Sequence, residues 1–468
     1  MLANLAVTEG SQNRFMINQL RRCSICLLLI ALVYAMVPAQ SAPEPVREQL
    51  LNGLTILFSQ RNEPNVLLKL RVHSGAAFDL AGKGGTMSLL GDILFPDPAT
   101  REYISEQLGG KLDVSTDYDA IEVTISGKSS DFERLVEFLR AALISTQITP
   151  ENVVKVRDAR IKQLSSEQNA SSEADRAVAI RLFGAFPYGH PIGGTTETVA
   201  RIERSDLLLA RERFLNADNA TIAVIGGVDK ARVMRTLRQL IGPWQKGDRS
   251  VPATFRPPNP IDTRALLLDK SGPTAEIRLA VRGLARSSAD ELAASVLARI
   301  IRDRWQTSLS DSSSVVVRHE AHTLPGAFVL SAAVPPATAA KAVTMAQAAM
   351  RSLATSGPTQ PELDRARSAE LADLTALTSG LETIADLWLD TDAYRLPALS
   401  VQLNLLRSLN AADIQRVAAK LFTDAPMALV VVGDSVRLKN SFGERAELGD
   451  GNIKPKTAVD SMVPIKKP

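Results

Sequence analysis

Ala220-Thr221-Ile222-Ala223-Val224-Ile225-Gly226 and Ala428-Leu429-Val430-Val431-Val432-Gly433 are two apolar runs that end in glycine, and each follows a helical stretch. The first stretch opens at Ser205-Asp206-Leu207 and ends near Phe214-Leu215, while the second opens at Ala412-Asp413-Ile414 and runs through Leu421-Phe422. The offsets agree, 413 − 206 = 207 and 433 − 226 = 207. A helix followed by a buried strand therefore occurs twice.

Earlier landmarks repeat in the same order. Pro150-Glu151 and Pro361-Glu362 start two long polar helical stretches, 361 − 150 = 211 apart, and the alternating strands Leu68-Lys69-Leu70-Arg71-Val72 and Ile277-Arg278-Leu279-Ala280-Val281 lie 281 − 72 = 209 apart. Order and near-constant spacing imply a tandem duplication. Between the copies, Lys246 to Thr263 holds four prolines and almost no periodicity, the composition of an extended linker. Each copy reads as strand, strand, helix, strand, several helices and a final strand. The expected fold is α+β, with two tandem homologous α/β-sandwich domains, each a mixed or antiparallel sheet covered by helices. The expected boundaries are 43–245 for the first domain, 246–263 for the linker, 264–440 for the second domain and 441–468 for a polar, disordered tail.

Composition narrows the function. With 468 residues and 45% hydrophobic content the chain supports more than one core, and 54 Lys plus Arg against 51 Asp plus Glu give a net charge of only +3. That balance argues against a dedicated nucleic-acid binder. Both cysteines, Cys23 and Cys26, belong to an apolar run from Cys23 to Val37 behind Arg21 and Arg22, followed by the small-residue ends Val37-Pro38-Ala39 and Gln40-Ser41-Ala42. The run is too short to span a bilayer and has the form of a signal peptide over 1–42, which places the protein in the periplasm or outside the cell. Retention as an anchor and a start at Met16 rather than Met1 stay open. The mature chain then has no thiol, so disulfides and cysteine metal sites drop out. Four histidines remain, His73, His190, His319 and His322.

Taken together, Leu51-Asn52-Gly53-Leu54, Val72-His73-Ser74-Gly75-Ala76, Leu108-Gly109-Gly110 and Tyr188-Gly189-His190-Pro191-Ile192-Gly193-Gly194-Thr195 resemble, in this order, the pitrilysin or insulinase-like zinc metallopeptidases, in the short two-domain form that includes mitochondrial processing peptidase subunits. The resemblance covers about residues 47 to 440 and implies a clamshell half. It also implies a His-x-x-Glu-His zinc motif on the helix after the second strand. The matching stretch here is Gly85-Thr86-Met87-Ser88-Leu89-Leu90-Gly91-Asp92-Ile93-Leu94-Phe95. Ser88 and Asp92 stand where the two histidines belong and Gly91 where the glutamate belongs. Zinc needs two imidazoles on one helix face and a carboxylate to activate its water, and this trio supplies no imidazole, one hard oxygen from Asp92 and no proton acceptor at Gly91. A third, distal glutamate would align near Ile161 or Lys162, but Ala159 to Ser166 contains no carboxylate, and only Asp158 and Glu167 flank the gap. The family's C-terminal Arg and Tyr seven residues apart find no tyrosine in Arg302 to Val317.

No catalytic residue, metal ligand or cofactor is therefore expected. His319-Glu320-Ala321-His322 is one residue short of a His-Glu-x-x-His pair, and after Val315-Val316-Val317 it reads as a strand or loop end. His73 and His190 read as structural, and Tyr394-Arg395 as a surface loop. Peptide binding survives more easily, because the family holds extended substrates along the edge strand that resembles Leu112-Asp113-Val114-Ser115-Thr116. The function expected is an exported, catalytically silent subunit that pairs with a relative bearing an intact zinc motif. A free-standing periplasmic peptide-binding or assembly scaffold is the alternative, and a metallopeptidase with an unconventional site is a weaker one.

Overall fold

A computed structural model describes residues 44–247, 255, 257–309, 313–442 and 446–449. The signal-peptide reading falls on residues outside these, as do most of the linker's first half and the last residues of the tail. The first half comprises β1 (Val46–Gln49), β2 (Thr55–Gln60), β3 (Asn65–Val72), α1 (Thr86–Asp92), α2 (Pro98–Glu106), β4 (Lys111–Thr116) and β5 (Ile121–Lys128). It continues with α3 (Phe132–Arg140), α4 (Pro150–Ser166), α5 (Ala170–Phe183), α6 (Thr196–Ala200), α7 (Arg204–Phe214), β6 (Ala220–Gly226) and α8 (Lys230–Leu240). The second half comprises β7 (Ala265–Asp269), β8 (Ala275–Arg282), α9 (Glu291–Ser308), β9 (Ser314–Glu320), β10 (Ala327–Val334) and α10 (Ala339–Ser356). It ends with α11 (Gln360–Ala376), α12 (Leu381–Tyr394), α13 (Leu399–Ser408), α14 (Ala411–Phe422), β11 (Ala428–Gly433), α15 (Ser435–Phe442) and β12 (Ala446–Gly449).

Each half builds a six-stranded sheet, in the orders β1-β2-β6-β3-β5-β4 and β12-β7-β11-β8-β10-β9. Both sheets are mixed: β2 with β6 and β7 with β11 run parallel, while β3 and β8 pair antiparallel with both of their neighbours. The duplication is thus a duplication of sheets. The repeated helices begin as their caps dictate, with Thr149 accepting from the Asn152 N–H ahead of Pro150 and Thr359 forming a capping box with Glu362.

Within the stretch expected as a disordered tail, α15 runs on to Phe442 and Ala446–Gly449 form β12, parallel to β7. The open edge of β7 supplies the hydrogen bonds, and Glu447 pairs with Arg181 and Arg264 at 3.5 and 3.1 Å. So short a strand, with no apolar run, is held by partners rather than by its own pattern.

The halves exchange helices. α5 of the first half covers β8 and β11 of the second through an apolar seam of Ala174, Ala177, Val178 and Leu182 against Leu266, Leu268, Ala280, Val430 and Val432. Its counterpart α12, 381 − 170 = 211 residues later, packs on β3 and β6 of the first half. The contacts are duplicated too. Arg278 of β8 binds Asp175 of α5 at 2.6 Å, and Lys69 of β3 binds Asp386 of α12, with 278 − 69 = 209 and 386 − 175 = 211. Lys69 and Arg71 are 6% exposed, because the polar positions of β3 face α12 while Val66, Leu68, Leu70 and Val72 face the helices of their own half. Glu122 of β5 bridges the two cations, at 3.2 Å from Lys69 and 2.6 Å from Arg71, and Arg71 reaches Asp390 of α12 at 2.8 Å. Among the described residues no helix is long and apolar enough to cross a membrane.

Candidate functional site

Helix α1 carries the degenerate motif and is set in place by its neighbours. Gly85 precedes it at φ +94°, where a Cβ would lie 2.7 Å from the Gly193 carbonyl, so only glycine allows this approach. The buried Asp79 carboxylate accepts from the Gly85 and Met87 N–H groups at 2.6 and 2.8 Å. Burial pushes its pKa up to about 7 despite those bonds.

Each motif position has a packing role. Ser88 is 2% exposed and its hydroxyl donates to the Ile192 carbonyl at 2.9 Å, tying α1 to the loop around Pro191. Gly91 lies against the edge strand: a Cβ there would be 3.2 Å from Thr116 Oγ1 and 3.3 Å from Val114 Cγ1. Asp92 faces α4, where Arg160 grips it. Arg160 Nη2 donates to Oδ1 at 2.8 Å and to Oδ2 at 2.7 Å, and Nε donates to Oδ2 at 3.1 Å. Burial raises the Asp92 carboxyl above its usual value and the guanidinium opposes that rise.

These residues do not fit zinc. The serine hydroxyl is neutral and engaged, the glycine offers no proton acceptor, and both carboxylate oxygens are taken by a cation. On α4 the residue turned to Asp92 is Arg160, whereas Lys162 is exposed and Ile161 packs against the core. A search of that stretch for carboxylates passes over an arginine. Among the described residues no group of three or more His, Cys, Asp and Glu could hold a metal.

Leu112, Asp113, Val114, Ser115 and Thr116 form most of β4, which pairs with β5 on one side and closes that end of the sheet. Leu112 is buried, Val114 and Thr116 turn towards Gly91, and Asp113 and Ser115 are exposed. The turn from β4 to β5 reaches the second half. There Asp119 Oδ2 accepts from the Thr323 N–H at 2.8 Å and from the Tyr394 hydroxyl at 3.0 Å, with His322 Nδ1 at 3.8 Å. Tyr394 is therefore the end of α12 and an inter-half contact rather than a surface loop. The four histidines do not converge. His319 Nε2 accepts from the Leu284 N–H at 3.0 Å, His73 Nε2 bonds Thr221 Oγ1 at 3.0 Å, and His190 Nδ1 lies 4.0 Å from Asp79.

The fold and sequence have known counterparts. The family model "Insulinase (Peptidase family M16)" matches residues 55–195 and "Peptidase M16 inactive domain" matches residues 201–370. The human protein named cytochrome b-c1 complex subunit 1, mitochondrial, is 24% identical over 272 residues, 56% of this chain and 56% of its own length, so the match spans little more than half of that relative. The Lentinula edodes protein named mitochondrial-processing peptidase subunit beta is 22% identical over 432 residues, 84% of this chain and 90% of its own. A solved peptidase M16 inactive domain from Pseudomonas fluorescens superposes with a TM-score of 0.75 at 18% identity, covering 83% of this chain and 98% of that one. A protease from Helicobacter pylori does so with 0.75 at 17%, covering 83% and 99%. The two family models meet near residue 200 and together cover most of residues 55–370, with the stretch Ser88–Asp92 inside the first: the chain belongs to the pitrilysin or insulinase-like peptidase family M16.

Proposed function

We propose that this protein is an exported, catalytically silent subunit that pairs with a relative carrying an intact zinc motif and helps to enclose a peptide-holding chamber. The observation that carries this reading is the ion pair between Asp92 and Arg160, which spends the one carboxylate of the motif on protein structure while the two-half body is kept. Two relatives are named as subunits of larger assemblies, a cytochrome b-c1 complex and a processing peptidase, which supports pairing. The edge of β4 offers backbone groups for an extended peptide, a sequence-tolerant mode of recognition that needs no catalytic side chain. The apolar run from Cys23 to Val37 supports export.

Elemental analysis and a peptidase assay on the purified mature protein test the silent part of the proposal. The expected result is no stoichiometric zinc and no cleavage. About one zinc per chain with chelator-sensitive cleavage would overturn it.

A further inference from the structure

We propose that Arg160 is an internal substitute for the metal ion: its guanidinium ties α4 to α1 across the place where the family holds zinc, and it shuts that place to a divalent cation. This goes beyond the pairing proposal and does not depend on it. The family resemblance implies zinc ligands from the helix that matches α1 and from the later helix that matches α4. Here the same two helices are joined by one fork of hydrogen bonds, with two guanidinium nitrogens on the two oxygens of Asp92 at 2.7 to 3.1 Å. Such charge-assisted, two-pronged contacts are among the strongest an arginine makes. The guanidinium is held from another side as well, where Nη1 donates to Gln163 Oε1 at 3.3 Å. Side-chain exposure is 19% for Arg160 and 29% for Asp92. A second cation beside this one would meet direct repulsion and find no free carboxylate oxygen. Losing the histidines alone would leave Asp92 partly buried and unpaired, so Arg160 accounts for how the site stays folded without metal.

The test rebuilds ligands around Arg160 in the full mature chain. One variant carries Ser88→His and Asp92→His with Arg160 kept; a second adds Arg160→Glu, giving two imidazoles and one carboxylate while Gly91 stays glycine. Zinc alone is the probe, with metal per chain read by elemental analysis and affinity by titration. The second variant is expected to bind one zinc, on the order of 100-fold more tightly than the first. Equal affinity in the two, or no zinc in the second while circular dichroism shows it folded, would overturn the proposal. An independent arm uses variants of the natural chain. Arg160→Gln should lower the thermal midpoint, and the exchange Asp92→Arg with Arg160→Asp should recover part of the loss. An unchanged midpoint in Arg160→Gln would overturn the tie itself.

Discussion

His319 accepts a backbone hydrogen bond at Nε2, so its ring proton sits on Nδ1 and the neutral form is the one the fold uses. Burial, helped by the charge of Arg286, lowers its pKa to about 4. Between that value and the ordinary 6.5 the unfolded chain binds more protons than the folded one. The contribution of His319 is therefore complete above pH 6.5 and is lost as pH falls through the window towards 4. His319→Gln keeps an acceptor and removes the titration, so it should flatten the acid limb of stability by on the order of 2 kcal/mol, as read from urea unfolding at pH 7 and pH 4.5. Ser88 tests the packing role of a position where the family resemblance implies a histidine: Ser88→Ala should cost about 1 kcal/mol, by leaving the Ile192 carbonyl short of a donor. The helix carrying Ser88, Gly91 and Asp92 was legible in the sequence because Leu94-Phe95 anchors the stretch. Arg160 was not, since nothing in a helix read one residue at a time says that a cation on α4 lands on a carboxylate of α1.

Strands and helices with strong periodicity, such as β3, β6, β8, β11, α4 and α14, were readable because their patterns are local. Their partners were not. Alternation in Leu68-Lys69-Leu70-Arg71-Val72 ordinarily marks a solvated face, yet the polar face of β3 meets α12 from the other half, and only the three-dimensional exchange of α5 and α12 reveals it. The short β12 escaped for the same reason, because its cohesion lies in β7, Arg181 and Arg264. Lys69→Ala strips a buried cation from both Glu122 and Asp386 and should cost about 3 kcal/mol. Lys111→Ala removes an exposed partner 3.9 Å from Glu382 and should change stability by less than about 0.5 kcal/mol. Thermal unfolding of the two variants side by side checks the contrast. Equal small losses would mean that the inter-half ion pairs on β3 do not hold α12.

At the scale of the whole molecule the two halves form one body, held by an apolar seam under α5, ion pairs under α12 and the Asp119 contacts at the β4–β5 turn. The lone chain can therefore fold on its own. On the proposed reading, a two-half body whose Ser88, Gly91 and Asp92 are engaged in packing suits a subunit that faces another. The decisive measurement is the mass in solution, by light scattering, of the mature chain alone and co-expressed with an M16 relative that retains His-x-x-Glu-His, with peptidase activity followed on the same fractions. A one-to-one complex burying on the order of 1,200 Å² or more, with activity above that of the zinc-bearing relative alone, is the predicted result. A monomer in both samples, with no gain in activity for the mixture, would contradict the account and favour a free-standing peptide-binding scaffold.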